Sequence, residues 1–182
     1  MKVILFLADG FEEVEALTTV DYLRRQGIVV DTASITDDLK VRGAHNIVVL
    51  ADRTLADLSE SREYDGVIIP GGIPGATNLR DNSKVIEVVR EVYNNGKLAA
   101  AICAGPIVLE RAGIIRDKKV TSYPGFSGDL KDSIYDEEDV VVDGNIITAR
   151  GPALAVDFAI EIIRYLLGDK EVQNLKRDIL YK

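Results

Sequence analysis

The chain has 182 residues, 47% hydrophobic and 29% charged, enough for one well-buried core in a globular domain and short for two independent ones. Against 30 acidic residues stand 22 basic ones, a formal charge of −8, so the basic footprint that nucleic acid or an anionic membrane requires is missing. One cysteine makes no internal disulfide, and one histidine with no second cysteine gives no zinc or iron–sulfur spacing, so neither a metal nor another cofactor is expected.

The first apolar run, Val3 to Leu7, ends quickly at Asp9-Gly10. It is too short for a signal peptide or membrane span, and a cytoplasmic location follows as the expectation. Further runs at Ile28 to Ala33, Ile47 to Leu50, Gly66 to Ile69 and Leu98 to Ile102 read as short buried strands. Helical patterns at Glu12 to Gln26, Lys84 to Asn94 and Pro106 to Ala112 alternate with them, which predicts βαβ units and a largely parallel sheet. In VVVDGNIITA, Asp143-Gly144 lies between two β-branched runs and predicts a C-terminal hairpin. Pro152 opens an amphipathic helix through Phe158, Ile162, Ile163 and Leu166, ended by Gly168, with a short helix from Lys170 onward. No repeat or compositional break divides residues 1–182, so a single domain is expected.

Ligands of an open parallel sheet gather beyond the carboxyl ends of its strands. Three segments qualify: Asp9-Gly10-Phe11-Glu12-Glu13-Val14-Glu15, Pro70-Gly71-Gly72-Ile73-Pro74-Gly75, and Cys103-Ala104-Gly105-Pro106. The last has the small residues of a tight strand–turn–helix and resembles a nucleophile elbow. A thiol there would meet backbone N–H groups and the positive end of a helix, which favour thiolate. The bland alternative is a small buried core residue, the usual fate of a free cysteine. The PGGIPG glycines leave backbone N–H groups unhindered, and Gly72 with Ala104 could form an oxyanion hole. The segment fits neither a P-loop nor a dinucleotide fingerprint.

Glu12 and Glu13 read as carboxylates complementing a helix dipole. Glu15 lies off the Ala16, Leu17, Val20, Leu23 stripe, and periodicity alone places it in solvent. His45 reads as a surface loop residue that could approach a site only from another loop or across a dimer. Tyr123, after the short run Lys119 to Thr121, either lines the site or packs as a partly buried aromatic.

Taken together, ADGFEEVEA, the PGG turn, AAAICAGP and ITARGP resemble the DJ-one/ThiJ/PfpI superfamily over nearly the whole chain. The resemblance implies a flavodoxin-like three-layer α/β/α sandwich, a homodimer, a reactive Cys103 and a protonated Glu15 that faces it, overruling the helical-wheel reading. It also implies oxyanion donors at the N–H groups of Gly72 and Ala104. Many members place a histidine directly after the cysteine or near position 123. This chain has Ala104 and Tyr123, which makes Cys-His proteolysis doubtful. The activity implied is attack of Cys103 on a reactive dicarbonyl or early glycation adduct of an amine or thiol, a glyoxalase or deglycase reaction with Glu15 shuttling the proton. The alternatives are a peroxide sensor or stress-protective chaperone working through oxidation of Cys103, and a degenerate member kept as a binding or structural protein.

Overall fold

The computed structural model describes residues 1–58 and 61–181. β1 (Lys2–Leu7), an apolar run buried on both faces, pairs in parallel with β2 (Val29–Ser34) after α1 (Glu13–Arg25). A small antiparallel pair follows, β3 (Lys40–Arg42) and β4 (Val48–Leu50), and then β5 (Arg53–Thr54), which joins the edge of the main sheet beside β2. β6 (Gly66–Ile69) lies on the other side of β1. α2 (Gly75–Asp81) and α3 (Ser83–Asn94) lead to β7 (Leu98–Ile102), and α4 (Pro106–Ala112) follows it. A two-stranded parallel pair, β8 (Lys119–Val120) and β9 (Ile134–Tyr135), precedes β10 (Val140–Asp143) and β11 (Ile146–Ala149), and α5 (Ala155–Leu167) and α6 (Asp169–Asp178) close the chain.

The main sheet runs β10-β11-β7-β6-β1-β2-β5, parallel throughout except for the antiparallel β10 edge. Successive side chains of a strand point to opposite faces. Thus Ile4 and Phe6 pack with Leu79, Val89 and Val108 of α2, α3 and α4, whereas Val3, Leu5 and Leu7 pack with Leu23, Phe158 and Leu175 of α1, α5 and α6. This is the expected flavodoxin-like three-layer sandwich, with its C-terminal hairpin. No helix among the described residues is long and apolar enough to cross a membrane.

Three details differ from the sequence reading. Ile47 to Leu50 is not a buried strand: β4 stands off the main sheet, with Val48 46% and Leu50 70% exposed. Hydrophobicity gave the strand but not its burial. The hairpin turn is Gly144-Asn145 rather than Asp143-Gly144, because Asp143 stays in β10 opposite Ile146 while its carboxylate takes the Lys119 N–H. Pro152 opens a short 3-10 turn, with α5 starting at Ala155.

Candidate active site

Cys103 follows β7 directly and has φ 61°, in the left-handed region that residues bearing a Cβ seldom enter. Its neighbours hold it there. The Cys103 N–H donates to the Ala149 carbonyl at the end of β11 (2.8 Å), and its carbonyl accepts from the Tyr123 N–H (2.9 Å). Such over-determined strain is typical of an elbow that presents a side chain above a sheet. The small residues after it are required locally, since a Cβ on Gly105 would lie 2.6 Å from the Ile69 carbonyl oxygen.

Glu15 projects from the first turn of α1 and is 1% exposed. Its Oε2 accepts the Gly71 N–H at 2.7 Å, while Oε1 is buried without a hydrogen-bond partner among the described residues. Gly71 is the contact point of the pair: a Cβ there would lie 2.7 Å from both the Cys103 Cβ and Glu15 Oε2. The same glycine accepts the Glu12 N–H through its carbonyl (3.0 Å), which ties the PGG turn to the start of α1. Gly72 has φ 86°, and a side chain there would collide with backbone of Gly10, Phe11 and Glu12.

Burial dominates the electrostatics of Glu15 and pushes its carboxyl up to about 7, against the opposing Gly71 N–H and Cys103 thiol; the charge of Glu12 adds to the rise. The thiol is pushed up to about 12, first by burial, then by the charge of Glu15 and its hydrogen bond, with the N–H groups of Ala104 and Gly72 opposing. The thiolate expected at the elbow therefore does not form beside an ionised Glu15 and needs the proton to sit on that carboxyl. Two N–H donors and a short helix do not offset burial beside a carboxylate. The two groups titrate as a pair, and while Glu15 is ionised the thiol keeps its proton. When the proton passes to Glu15, the acid becomes a donor to the sulfur, and the two backbone N–H groups favour the thiolate.

Tyr123 reaches the elbow through its backbone; the residue is 49% exposed, and its ring lies over Gly151, 3.6 Å from where a Cβ would stand. His45 belongs to a different cluster. Its Nδ1 is 2.9 Å from Glu13 Oε2 and 3.6 Å from Glu12 Oε1, and its side chain is 68% exposed. Among the described residues, these three form the one group whose ligand atoms come close enough to surround a metal ion, all within 4.8 Å. Glu13 is not a mere dipole complement. Its buried carboxylate accepts the N–H groups of His45 (2.7 Å) and Ile47 (3.3 Å), fastening that loop to α1.

A profile of the DJ-1/PfpI family matches residues 1–165. The chain belongs to this family. It is 37% identical over 179 residues to Protein dj-1beta of Drosophila melanogaster, which covers 97% of this chain and 95% of that one. The crystal structure of Drosophila melanogaster DJ-1beta superposes with a TM-score of 0.94 at 36% identity, covering 100% of this chain and 98% of the other. Oxidized DJ-1 of Toxoplasma gondii gives 0.92 at 34% identity, covering 99% and 98%.

In this DJ-1/PfpI chain two roles escaped the sequence reading, that of Gly71 at the site and that of Glu13 in the cluster beside it. Gly71 was subsumed in a glycine-rich turn, although being the first glycine after a buried strand marks it as a point of close approach. Glu13 carried no signal, because its partners are backbone N–H groups more than thirty residues away.

Proposed function

We propose that this chain is a single-domain cytoplasmic enzyme in which Cys103 attacks small reactive dicarbonyls, with Glu15 as its base and proton shuttle. The supporting observation is the placement of the Glu15 carboxyl, buried with its Oε2 on the Gly71 N–H beside Cys103, a burial that pushes it up to about 7. A group that gains and loses a proton near neutrality suits general acid–base work where no histidine adjoins the cysteine.

For methylglyoxal, the Glu15 carboxylate takes the thiol proton as sulfur bonds to the aldehyde carbon. The carbonyl π pair moves onto oxygen, where the N–H groups of Gly72 and Ala104 are available to stabilise it until protonation gives the hemithioacetal. Glu15 then carries the C1 proton to C2 while the hydroxyl proton on the C1 oxygen passes to the C2 oxygen, leaving a thioester at C1 and a hydroxyl at C2. Water cleaves the thioester to lactate and restores the thiol. One water is added, C1 is oxidised while C2 is reduced, and no external oxidant is needed. An early glycation adduct of an amine or thiol enters the same route once its C1–N or C1–S bond breaks, the adduct's hydroxyl proton going to the released amine or thiol and the aldehyde being restored for Cys103.

Lactate formation from methylglyoxal, compared between the parent and Cys103→Ser after circular dichroism shows both folded, tests this reading. Cysteine-dependent lactate is expected, and equal output from the two proteins would sink it. If neither makes lactate, a second reading takes its place: two successive peroxides oxidise the thiol to sulfenic and then sulfinic acid, each leaving as water. The oxidized relative from Toxoplasma gondii and the protonatable Glu15 beside the sulfur favour that alternative.

A homodimer completes the proposal. Val14 and Leu17 on α1 and Ile47, Val48 and Leu50 at β4 are 41% to 70% exposed, and the Ile47 N–H bond to Glu13 joins the two elements into one apolar face. Sedimentation should show a dimer that Leu17→Lys dissociates; a monomeric parent would refute it.

A further inference from the structure

His45 has no place in the chemistry above, yet it is bound to the segment that carries Glu15. Its Nδ1 faces Glu13 Oε2 at 2.9 Å and Glu12 Oε1 at 3.6 Å, and its N–H donates to Glu13 Oε1. Neighbouring bonds fasten the same loop: the Ala44 N–H donates to the Phe11 carbonyl (2.8 Å), and the Gly10 N–H donates to the Arg42 carbonyl (2.7 Å). Glu12 in turn donates its N–H to the Gly71 carbonyl, and the Gly71 N–H holds Glu15 Oε2. A continuous set of contacts therefore runs from the His45 ring through Glu12 and Gly71 to the carboxylate beside Cys103.

We propose that His45 is a positioning residue for the Cys103–Glu15 pair, setting through its contacts with Glu12 and Glu13 the charge felt by Glu15 from the first turn of α1. The inference rests on the reading of Glu15 as base for Cys103. The charged groups facing His45 are Glu13 and Glu12; their hydrogen bond and charges, Glu13 first, raise its pKa above the ordinary imidazole value. Those facing Glu15 are Cys103 and Glu12. Protonated, His45 offsets the charge of Glu12, and Glu15 gives up its proton more readily. Neutral, it leaves Glu12 uncompensated, and Glu15 holds its proton to higher pH. The chain thus has its one histidine at the edge of the site, acting on the base rather than on the sulfur.

The test is the pH profile of Cys103 alkylation by iodoacetamide, in which sulfur displaces iodide while Glu15 accepts the thiol proton. His45→Gln should move the Glu15 inflection upward, lowering the rate on its acid side roughly two- to fivefold, the range of a solvent-exposed charge pair. The rate well above the inflection should not change, and His45→Arg should restore the parent profile. A loop merely loosened by the substitution would instead alter the rate on both sides, or resist rescue by arginine, and either result overturns the proposal, as does an unmoved inflection. Glu15→Gln separates the two levels. If it abolishes the inflection while His45→Gln leaves it in place, the positioning role fails and the Glu15 base stands. If Glu15→Gln leaves the inflection intact, the base reading itself fails and takes this proposal with it.

Discussion

Glu13 and Glu15 lie two residues apart on α1, are 3% and 1% exposed, and are held in opposite directions. Burial tends to raise Glu13, but the His45 side chain, its own N–H and the N–H groups of His45 and Ile47 outweigh it and hold the carboxyl below the usual range. Glu15 has one backbone donor and an Oε1 with none, so burial prevails and carries it to about 7. Burial does not by itself fix the charge of a carboxyl. The donors opposite do, the His45 side chain with backbone N–H groups for Glu13 and one backbone N–H for Glu15. One helix turn thus carries an anion that serves as a fastener and an acid poised to move a proton.

The largest test of this contrast is Glu15→Gln. In the unfolded chain a glutamate ionises near the ordinary value of 4.5, whereas folded Glu15 does so at about 7. Between those values the folded state keeps a proton that the unfolded chain has released, so its stability falls as pH rises and levels off above the folded value. The shift corresponds to about 3 kcal/mol. Urea unfolding across this window should show the parent losing stability relative to Glu15→Gln by that amount as pH rises; identical slopes would mean that native Glu15 is no different from a solvated carboxylate.

Next in size is Gly71→Ala, which drives a methyl between the cysteine and the acid. A displacement of this kind costs on the order of a hundredfold in rate. If kcat/KM for methylglyoxal survives within a few-fold in a folded protein, Glu15 and Cys103 do not work as a pair.

Much of this was legible in the sequence. Val3 to Leu7, Gly66 to Ile69 and Leu98 to Ile102 form strands because each is an unbroken apolar run closed by turn residues. Other features depend on partners distant in the chain. A helical wheel measures direction relative to the sheet, where Ala16, Val20 and Leu23 indeed point, while Leu17 is 41% exposed and Thr19 takes its place. The burial of Glu15 comes from Gly71, 56 residues onward, and lies outside that geometry. The reading of Cys103 as a thiolate counted the N–H groups at the elbow, which are local, but not the burial and the carboxylate opposite, which are not. α2 was hidden in the same way, because Gly75 at its start reads as the end of a turn.

Glu13→Gln removes the anion but not the shape, and leaves the N–H groups of His45 and Ile47 facing a weaker acceptor. A loss of roughly 1–3 kcal/mol at neutral pH is expected. The folded pKa of Glu13 lies below its unfolded value, so its contribution is present above about 4.5 and disappears as pH falls through the folded value. Parent and variant should therefore converge in acid, opposite in sense to the Glu15 pair. A difference that persists there would assign the effect of Glu13 to packing rather than charge.

The smallest effect bears on the accounting of donors itself. Thr121 is fully buried, and its Oγ1, like Glu15 Oε1, has no partner among the described residues. Its N–H is satisfied by Thr148 Oγ1 at 2.8 Å, while the hydroxyl is orphaned. Valine keeps the branched shape and removes the unpaired group, so Thr121→Val should be neutral or stabilising by up to about 1 kcal/mol. A clear loss of stability would mean that a bound water satisfies the hydroxyl. The unpaired Glu15 Oε1 would then also have to be reconsidered, because a hidden donor there would lower its pKa and bring Glu15 closer to Glu13.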